Sequence, residues 1–198
     1  QLDPSPSPGH TPGKPKARGD AVDRSILCKG CWSQMRIPIA LRGPLAIPFK
    51  VAGIRASRMN PNVCTVCERH FSAVKKAKQI VTRATVLFAD VRGYTGLSQT
   101  LDATVVTQML GEFYEHCAQE VWAADGIINK LIGDAVLAVY NFPIAQEDHV
   151  EHAVQSAIGL QKRCAGLRAV SPDGDEDIGV GVGIHTGDIS IGEIGDFC

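Results

Sequence analysis

The apolar residues after position 80 alternate between strand-like and helix-like spacing, and this alternation restricts the fold more than any other feature. The predicted order is strand, helix, strand, strand, helix, strand, over residues 80–89, 101–121, 127–131, 135–140, 147–167 and 178–184. We expect Ser98 to cap the first helix and an acidic surface loop to cover residues 171–177. A βαββαβ order is typical of an α+β sandwich with ferredoxin-like topology, in which helices pack on one side of a mostly antiparallel sheet.

The composition changes twice before this region and divides the chain into four segments. Residues 1–25 are rich in Pro, Gly, Ser and charged side chains, which predicts a disordered tail. Residues 26–71 are predicted to form a small irregular Cys-rich unit, and residues 72–79 a basic connector to the domain over 80–198. Because the sequence begins with Gln1 and ends inside a strand-like pattern, we expect a fragment whose last domain is incomplete.

Charge and hydropathy exclude several classes of protein. The net charge of −1, from 20 basic and 21 acidic side chains, gives no general attraction to nucleic acid or to an anionic membrane. The longest apolar-leaning stretch, residues 37–54, contains Arg42, Lys50 and three prolines, so no segment of this chain is predicted to span a membrane. The sequence shows no secretory signal either.

Two CxxC pairs open and close the irregular unit. The pairs are Cys28 with Cys31 and Cys64 with Cys67. Their four thiolates could bind one tetrahedral zinc ion. This ion would be structural, because a small unit with few core residues needs a cross-link to be stable. The gap between the pairs exceeds the roughly 15–20 residues of common zinc ribbons, so redox-active pairs and unrelated thiols stay open as alternatives. His70 is close enough in sequence to replace one cysteine.

Two aspartates stand where strands are predicted to end. Asp90 ends the first strand, and Asp134 lies at the corner between the two short strands. If these strands are neighbours, both carboxylates enter one site, where they repel one another unless a cation joins them. Two hard divalent ions about 4 Å apart would clamp the attacking and leaving oxygens of a phosphoryl displacement. The backbone N–H groups from Val91 to Thr95 could cradle phosphates, helped by Gly93. Taken singly, each aspartate is also a common turn or cap residue.

Three segments, in this order and at this spacing, resemble the catalytic domain of class III nucleotidyl cyclases. The segments are FADVRGYT at 88–95, KLIGDAVLA at 130–138, and GIHTGD at 183–188 with IGEIG at 191–195. The resemblance implies a homodimer with active sites at the interface, and two Mg²⁺ or Mn²⁺ ions bound by the two aspartates and a backbone carbonyl. The implied ligands are Asp90, Asp134 and the Val91 carbonyl. The implied substrate-binding turn consists of Val91, Arg92, Gly93, Tyr94 and Thr95.

The same resemblance implies a reaction and a substrate. The ribose 3′-hydroxyl would attack the α-phosphate in line, and pyrophosphate would leave. Lys130 matches the position at which the family reads the purine, and its ammonium can donate to adenine N1, whereas guanine N1–H and N2–H₂ prefer an acceptor. We therefore expect an adenylate cyclase that makes 3′,5′-cyclic AMP from ATP, and ATP as substrate implies the cytoplasm.

Other interpretations stay open. They are a guanylate cyclase, a catalytically silent cyclase-fold module that dimerises or senses nucleotide, and a zinc-dependent interaction protein. The family's ribose-orienting Asn and transition-state Arg would follow Cys198, so we expect this chain itself to be inactive.

Overall fold

The computed structural model describes residues 26–77, 80–171 and 174–192. The tail predicted over residues 1–25 lies outside the described residues. Parts of the predicted connector and of the acidic loop lie outside them too, as does the end of the third family-like segment.

An antiparallel sheet forms the centre of the structure. The strands in the described residues are β1 (Ile80–Val91), β2 (Ile127–Ile132), β3 (Ala135–Tyr140), β4 (Arg168–Ser171), β5 (Gly174–Asp177) and β6 (Val180–Ile191). Four of them hydrogen-bond in the order β2-β3-β1-β6, and every neighbouring pair is antiparallel. This order, with a helical connection after β1 and another after β3, confirms the predicted α+β, ferredoxin-like arrangement.

Two long helices cover one face of this sheet. The described helices are α1 (Lys29–Met35), α2 (Ile47–Val51), α3 (Thr65–Ala77), α4 (Tyr94–Thr100), α5 (Ala103–Ala123) and α6 (His149–Cys164). The apolar stripe of α5 buries Phe113, and α6 buries Leu160, in one core with Leu87 and Tyr140 of the sheet. Full burial of a side chain of this size contributes about 1.5–3 kcal/mol. Within the described part of the chain, no helix is both long enough and apolar enough for a membrane span.

The side chains of β1 alternate between the two faces of the sheet. Leu87, Ala89 and Val91 lie in the core beneath the helices, whereas Phe88 and Asp90 point to the other side. Phe88 is 40% exposed there. We call the face opposite α5 and α6 the open face.

The start of α5 differs from the prediction. Asp102 is the N-cap, and its carboxylate accepts a hydrogen bond from the Thr104 N–H at 2.8 Å. Ser98 is not a cap, because it lies inside α4 and its hydroxyl donates to the Thr95 carbonyl at 3.1 Å. Both residue types cap helices well, and the extended backbone at Leu101 decides which of them does so here.

The loop prediction over residues 171–177 is wrong for its second half. Gly174–Asp177 forms β5, which pairs with β4 as an exposed two-stranded hairpin. Arg168 lies opposite Asp177, and its Nε donates to the Asp177 Oδ1 at 2.8 Å. Opposite charges that face one another across strands stabilise such a pair. An acidic sequence that looks turn-like on its own therefore pairs with the neighbouring strand.

Residues 26–77 form a small unit with its own core, which we call the cysteine unit. Its helices α1 and α2 are short, in keeping with the frequent Pro and Gly of this region. Helix α3 is longer and continues through residues 71 and 72, where the predicted unit gives way to the predicted connector. Its core cluster packs the four cysteines with Ile39, Leu41, Val63 and Phe71.

Candidate functional site

Asp90 and Asp134 meet at one end of the sheet. Asp90 lies opposite Ala135, so Asp134 directly precedes the cross-strand partner of Asp90. The Val91 N–H donates to the Asp134 carbonyl at 3.3 Å, which holds the backbones of the two aspartate segments together. Burial, followed by the neighbouring Asp134 carboxyl, raises the pKa of Asp90. A divalent cation is a suitable partner for this pair, since its charge would offset the repulsion between two hard oxygen donors.

The turn after Asp90 brings together the predicted substrate-binding residues. The Arg92 N–H donates to the Gly179 carbonyl at 2.8 Å, which ties the turn to the segment before β6. Gly93 has a φ of 72°, a left-handed conformation that glycine adopts without strain, and its carbonyl accepts from the Gly96 N–H at 3.0 Å. Val91, Arg92, Gly93, Tyr94 and Thr95 therefore form one tight connection between the strand that ends beside Asp134 and α4.

The glycines near the start of β6 make room for the Arg92 side chain. A Cβ on Gly179 would lie 3.4 Å from the Arg92 Cδ, and one on Gly181 would lie 3.7 Å from the Arg92 Nε. The Arg92 guanidinium therefore lies over β6, on the same end of the sheet as Asp90. A side chain at Gly179 would restrict this position of the arginine.

Lys130 lies on the open face but not beside the aspartates. It is opposite Leu137, which in turn is opposite Phe88, so all three side chains share the face to which Asp90 points. Two strand spacings, about 10 Å, separate the backbones of β2 and β1. Lys130 is exposed. The structure thus gives the open face an acidic end and a cationic side chain across from it.

Tyr114 is a contact of this site that sequence reasoning missed. Its hydroxyl donates a hydrogen bond to the carbonyl of Gly133, the residue before Asp134. Burial, and after it the nearby Tyr94 and Asp134, raise the pKa of Tyr114. The apolar stripe of α5 passes through the neighbouring Phe113, and no local pattern marks Tyr114. The tyrosine holds the hairpin corner from the side of the helices.

The four cysteines of the two CxxC pairs converge, as the zinc prediction requires. Three sulfur–sulfur distances are 3.4 Å for Cys31–Cys67, 3.6 Å for Cys31–Cys64 and 3.8 Å for Cys28–Cys67. All four sulfurs lie within 4.8 Å of one another, and none forms a disulfide. A tetrahedral ion with metal–sulfur bonds of about 2.3 Å has sulfur–sulfur edges of about 3.8 Å. The arrangement is that of a mononuclear tetrathiolate site.

Local geometry supports this tetrathiolate arrangement. A Cβ at Gly30 would lie 2.9 Å from the Cys67 Sγ, so the first CxxC turn needs a glycine there. The Cys64 N–H donates to the Cys28 Sγ at 3.2 Å, as backbone amides do around bound thiolates. His70 is not part of the cluster, and its ring stands edge-on to Phe71.

The thiol groups have unequal acidities. Burial raises the pKa of Cys67 to about 12, with the Cys28 sulfur adding to the rise and the hydrogen bond with Cys31 opposing it. Burial also raises the pKa of Cys31. Burial acts in the same direction on Cys64, but the Cys67 backbone and the Cys31 thiol outweigh it and lower the pKa of Cys64. A bound cation would favour the thiolate form of all four groups.

Comparison with known proteins locates this fold among cyclase domains. Residues 76–197 match the family model described as the adenylate and guanylate cyclase catalytic domain. "Adenylate cyclase 1" of Rhizobium meliloti is 31% identical over 127 residues, which are 64% of this chain and 19% of that protein. "Guanylate cyclase soluble subunit beta-2" of Rattus norvegicus is 30% identical over 112 residues, 57% of this chain and 16% of that protein. The chain thus spans about a fifth of the length of these curated relatives.

Solved structures give the same result. The guanylyl cyclase Cya2 superimposes with a TM-score of 0.55 at 27% identity, covering 60% of this chain and 60% of that chain. The adenylyl cyclase CyaB from P. aeruginosa gives a TM-score of 0.51 at 26% identity, covering 60% of this chain and 63% of that one. The matches include proteins named adenylate cyclase and proteins named guanylate cyclase, so the names do not decide between ATP and GTP as the substrate.

Proposed function

Because the chain belongs to the adenylate and guanylate cyclase catalytic domain family, we propose that it acts as an adenylate cyclase that converts ATP to 3′,5′-cyclic AMP and pyrophosphate. The observation that carries this proposal is that Asp90 and Asp134 meet at the end of β1, where Asp134 directly precedes the cross-strand partner of Asp90 and its carbonyl accepts from the Val91 N–H. Two adjacent carboxylates at a strand end raise each other's electrostatic energy, and a fold that keeps them together gains from binding cations there.

The donor set fits two divalent ions of the Mg²⁺ or Mn²⁺ type. Asp90, Asp134 and the Val91 carbonyl would hold them, all through hard oxygen atoms. Bound there, such ions would supply Lewis-acid activation of the ribose 3′-hydroxyl and neutralise charge at the α-phosphate. The Val91–Thr95 turn would orient the triphosphate through its N–H groups, and Arg92 would add a positive charge beside it.

Lys130 would select the purine. Its ammonium group is a donor without acceptor capacity, so it suits the N1 acceptor of adenine and not the N1–H of guanine. Lys130 is exposed on the open face that Asp90 also faces. A nucleotide lying across this face could therefore present its base to β2 and its phosphates to the end of β1. A guanylate cyclase remains the second candidate because some relatives carry that name.

A second copy of the chain would cover the open face. Phe88 is 40% exposed and Ile132 is 48% exposed on this face, and Gly183 beside Phe88 leaves space for an approaching surface. Covering these apolar side chains in a homodimer would place each active site at the interface. We place this dimer in the cytoplasm, where ATP is supplied.

The cysteine cluster would hold a separate ion, for which we propose zinc. Four buried sulfurs at the edge lengths of a tetrahedron suit a borderline-soft ion and not Mg²⁺. This ion would be structural, because four protein ligands leave no position for a substrate.

Nucleotide binding to the 198-residue chain tests the proposal. Calorimetry with ATP and with GTP, each with Mn²⁺ or with EDTA, should show metal-dependent binding that favours ATP. Asp90→Asn and Asp134→Asn should weaken Mn²⁺-dependent binding at least about tenfold, whereas the exposed, remote Asp175→Asn should not. Lys130→Glu should shift the preference towards GTP.

Because the family's Asn and Arg would follow Cys198, product analysis uses the complete catalytic domain, and it separates an enzyme from a catalytically silent module. Cyclic AMP that accumulates only with Mn²⁺ and only with both aspartates intact supports the cyclase. ATP binding that ignores Mn²⁺ and both aspartate substitutions would contradict the two-ion assignment and favour a nucleotide sensor.

A further inference from the structure

The cysteine unit holds the turn from which β2 starts. The Lys29 Nζ lies 2.9 Å and 2.7 Å from the two carboxylate oxygens of Asp125. The Asn62 Nδ2 donates to the same carboxylate at 3.2 Å. Asp125 has a φ of 57°, a left-handed conformation that Asp and Asn tolerate better than most residues. Two side chains of the cysteine unit thus fix a single turn residue of the cyclase domain.

Hydrogen bonds to the backbone extend this contact between the cysteine unit and the cyclase domain into β2. The buried Asn60 donates through its Nδ2 to the Gly126 carbonyl at 2.8 Å. The Met59 carbonyl accepts from the Ile128 N–H at 3.1 Å and from the Trp122 indole N–H at 2.7 Å. The contacts reach from the end of α5 to the second residue of β2.

The residues of the cysteine unit that contact Asp125 are linked to the sulfur cluster by chain adjacency and by backbone hydrogen bonds. Lys29 follows Cys28 directly, and its N–H donates to the Asn62 carbonyl at 2.9 Å. Asn62 in turn stands two residues before Cys64, whose N–H donates to the Cys28 sulfur. Any change in the position of Cys28 or Cys64 therefore moves both partners of the Asp125 carboxylate.

These contacts with the cysteine unit matter because β2 is an edge strand. It pairs only with β3 within the sheet, and their register shifts between Ile128 and Lys130. Lys130 lies directly after this shift, and a slip of one residue would move it to the other face. The Met59 contact at Ile128 lies immediately before the shift. It fixes the register from which Lys130 reaches the open face.

We infer that the metal ion at the four cysteines is a positioning device for the substrate face. When bound, it holds Lys29, Asn60 and Asn62 against the turn at Asp125 and so sets the register of β2. The inference rests on the zinc site and the purine-reading role of Lys130 proposed above. Lys29 and Asp125 are positioning residues, because they act on the nucleotide site through β2.

Metal analysis and hydrogen exchange on the full chain test this inference. Purified protein should contain about one zinc ion per chain. Removing the ion with a mercurial reagent and a chelator should speed amide exchange in residues 127–132 by about tenfold or more, with little change in α6. Adding zinc after reduction with excess thiol should restore the slow exchange. A folded chain without stoichiometric metal, or unchanged exchange in residues 127–132 after metal removal, would overturn the inference.

Variants separate the effect of the metal ion from the effect of the contact between Lys29 and Asp125. Cys64→Ser should lose zinc and speed exchange in β2, whereas Cys164→Ala, at a buried cysteine outside the cluster, should do neither. Asp125→Asn keeps the turn conformation but removes the charge that Lys29 binds, so it should keep zinc and still speed exchange in β2. Should Cys64→Ser fail to fold, Asp125→Asn with full zinc decides: unchanged exchange would overturn the inference.

None of these readouts uses a nucleotide. A chain that loses β2 protection with its metal but does not bind Mn²⁺-ATP would refute the proposed nucleotide site and leave the positioning role intact. A chain that binds Mn²⁺-ATP equally tightly with and without zinc would refute the positioning role and leave the nucleotide site intact.

Discussion

Replacing Gly30 by alanine adds a single methyl group beside the cysteine cluster and so tests how closely the sulfurs pack there. The added Cβ would lie 2.9 Å from the Cys67 Sγ and 3.4 Å from the Cys67 Cβ, closer than the roughly 3.5–4.0 Å of an ordinary contact. The sulfur has little freedom to retreat, since it lies 3.4 Å from the Cys31 sulfur and 3.8 Å from the Cys28 sulfur. Overpacking of this kind destabilises a protein by about 1–3 kcal/mol.

Gly111→Ala is the matched control. Gly111 lies in α5 as Gly30 lies in α1, but no atom comes within 4 Å of a Cβ placed there. Helix propensity alone stabilises such a replacement by about 0.5–1 kcal/mol. The difference between the two variants therefore isolates the contact with the sulfur. For about 2 kcal/mol in a chain of 198 residues, the expected difference in Tm is about 4–8 °C.

The assay is thermal unfolding of both variants together with zinc analysis. Gly30→Ala should melt below Gly111→Ala and should also release zinc at a lower chelator concentration. If Gly30→Ala is as stable as the control and holds zinc equally well, the sulfurs do not pack around this turn as described.

Three further changes have defined outcomes. Tyr114→Phe removes the hydrogen bond to the Gly133 carbonyl and should lower the free energy of unfolding by about 1 kcal/mol in urea titrations, with a loss of Mn²⁺-ATP affinity. Burial and the Asp134 carboxyl hold the pKa of Asp90 above its usual value, so the metal-free folded chain binds a proton more tightly than the unfolded chain. Its stability should fall as the pH rises from the ordinary pKa of an aspartate through the raised pKa of Asp90, and this fall should be smaller in Asp134→Asn. Phe88→Glu should weaken self-association at least about tenfold in sedimentation experiments.

Each of these changes has its own check. Tyr94→Phe changes a neighbouring tyrosine and leaves the Tyr114 hydrogen bond in place, so it should unfold like the unsubstituted chain. A pH profile of stability identical in Asp134→Asn and the unsubstituted chain would show that the two carboxyl groups do not interact. Val150→Glu places the same charge on an apolar residue of α6 that is 45% exposed. If it weakens self-association as much as Phe88→Glu, the open face is not the dimer interface.

Features encoded locally could be predicted from the sequence. The stripe of α5 and the hairpin of β2 and β3 follow from apolar spacing, which reflects burial directly. The contact of Asp90 with Asp134 needed one more assumption, namely that the first strand lies beside the hairpin, and the register confirms it. The turn at Val91 was proposed from its N–H groups and Gly93, Lys130 was found by resemblance, and the roles of both stay predictions.

Contacts between distant residues that have no recognised chemical role could not be predicted. Lys29 and Asp125 are 96 positions apart; Lys29 stands at a position of the first CxxC pair that metal binding leaves unspecified, and Asp125 belongs to no motif. Tyr114 reaches Gly133 from a helix whose apolar spacing gives it no special place. Ser98 and Asp102 are equally good caps in isolation, so only the path of the chain between α4 and α5 distinguishes them. Such choices are made by tertiary packing and leave no local pattern.

Direct observation of metal ions at the aspartates tests the central claim of this account. A crystal structure of the chain with Mn²⁺ and a non-cyclisable ATP analogue, recorded with anomalous scattering, would locate them. We predict manganese bound within about 2–2.3 Å of carboxylate oxygens from both Asp90 and Asp134, with the triphosphate on the Val91–Thr95 turn. Manganese bound to the analogue elsewhere, with both carboxyl groups left out of its coordination, would contradict the claim.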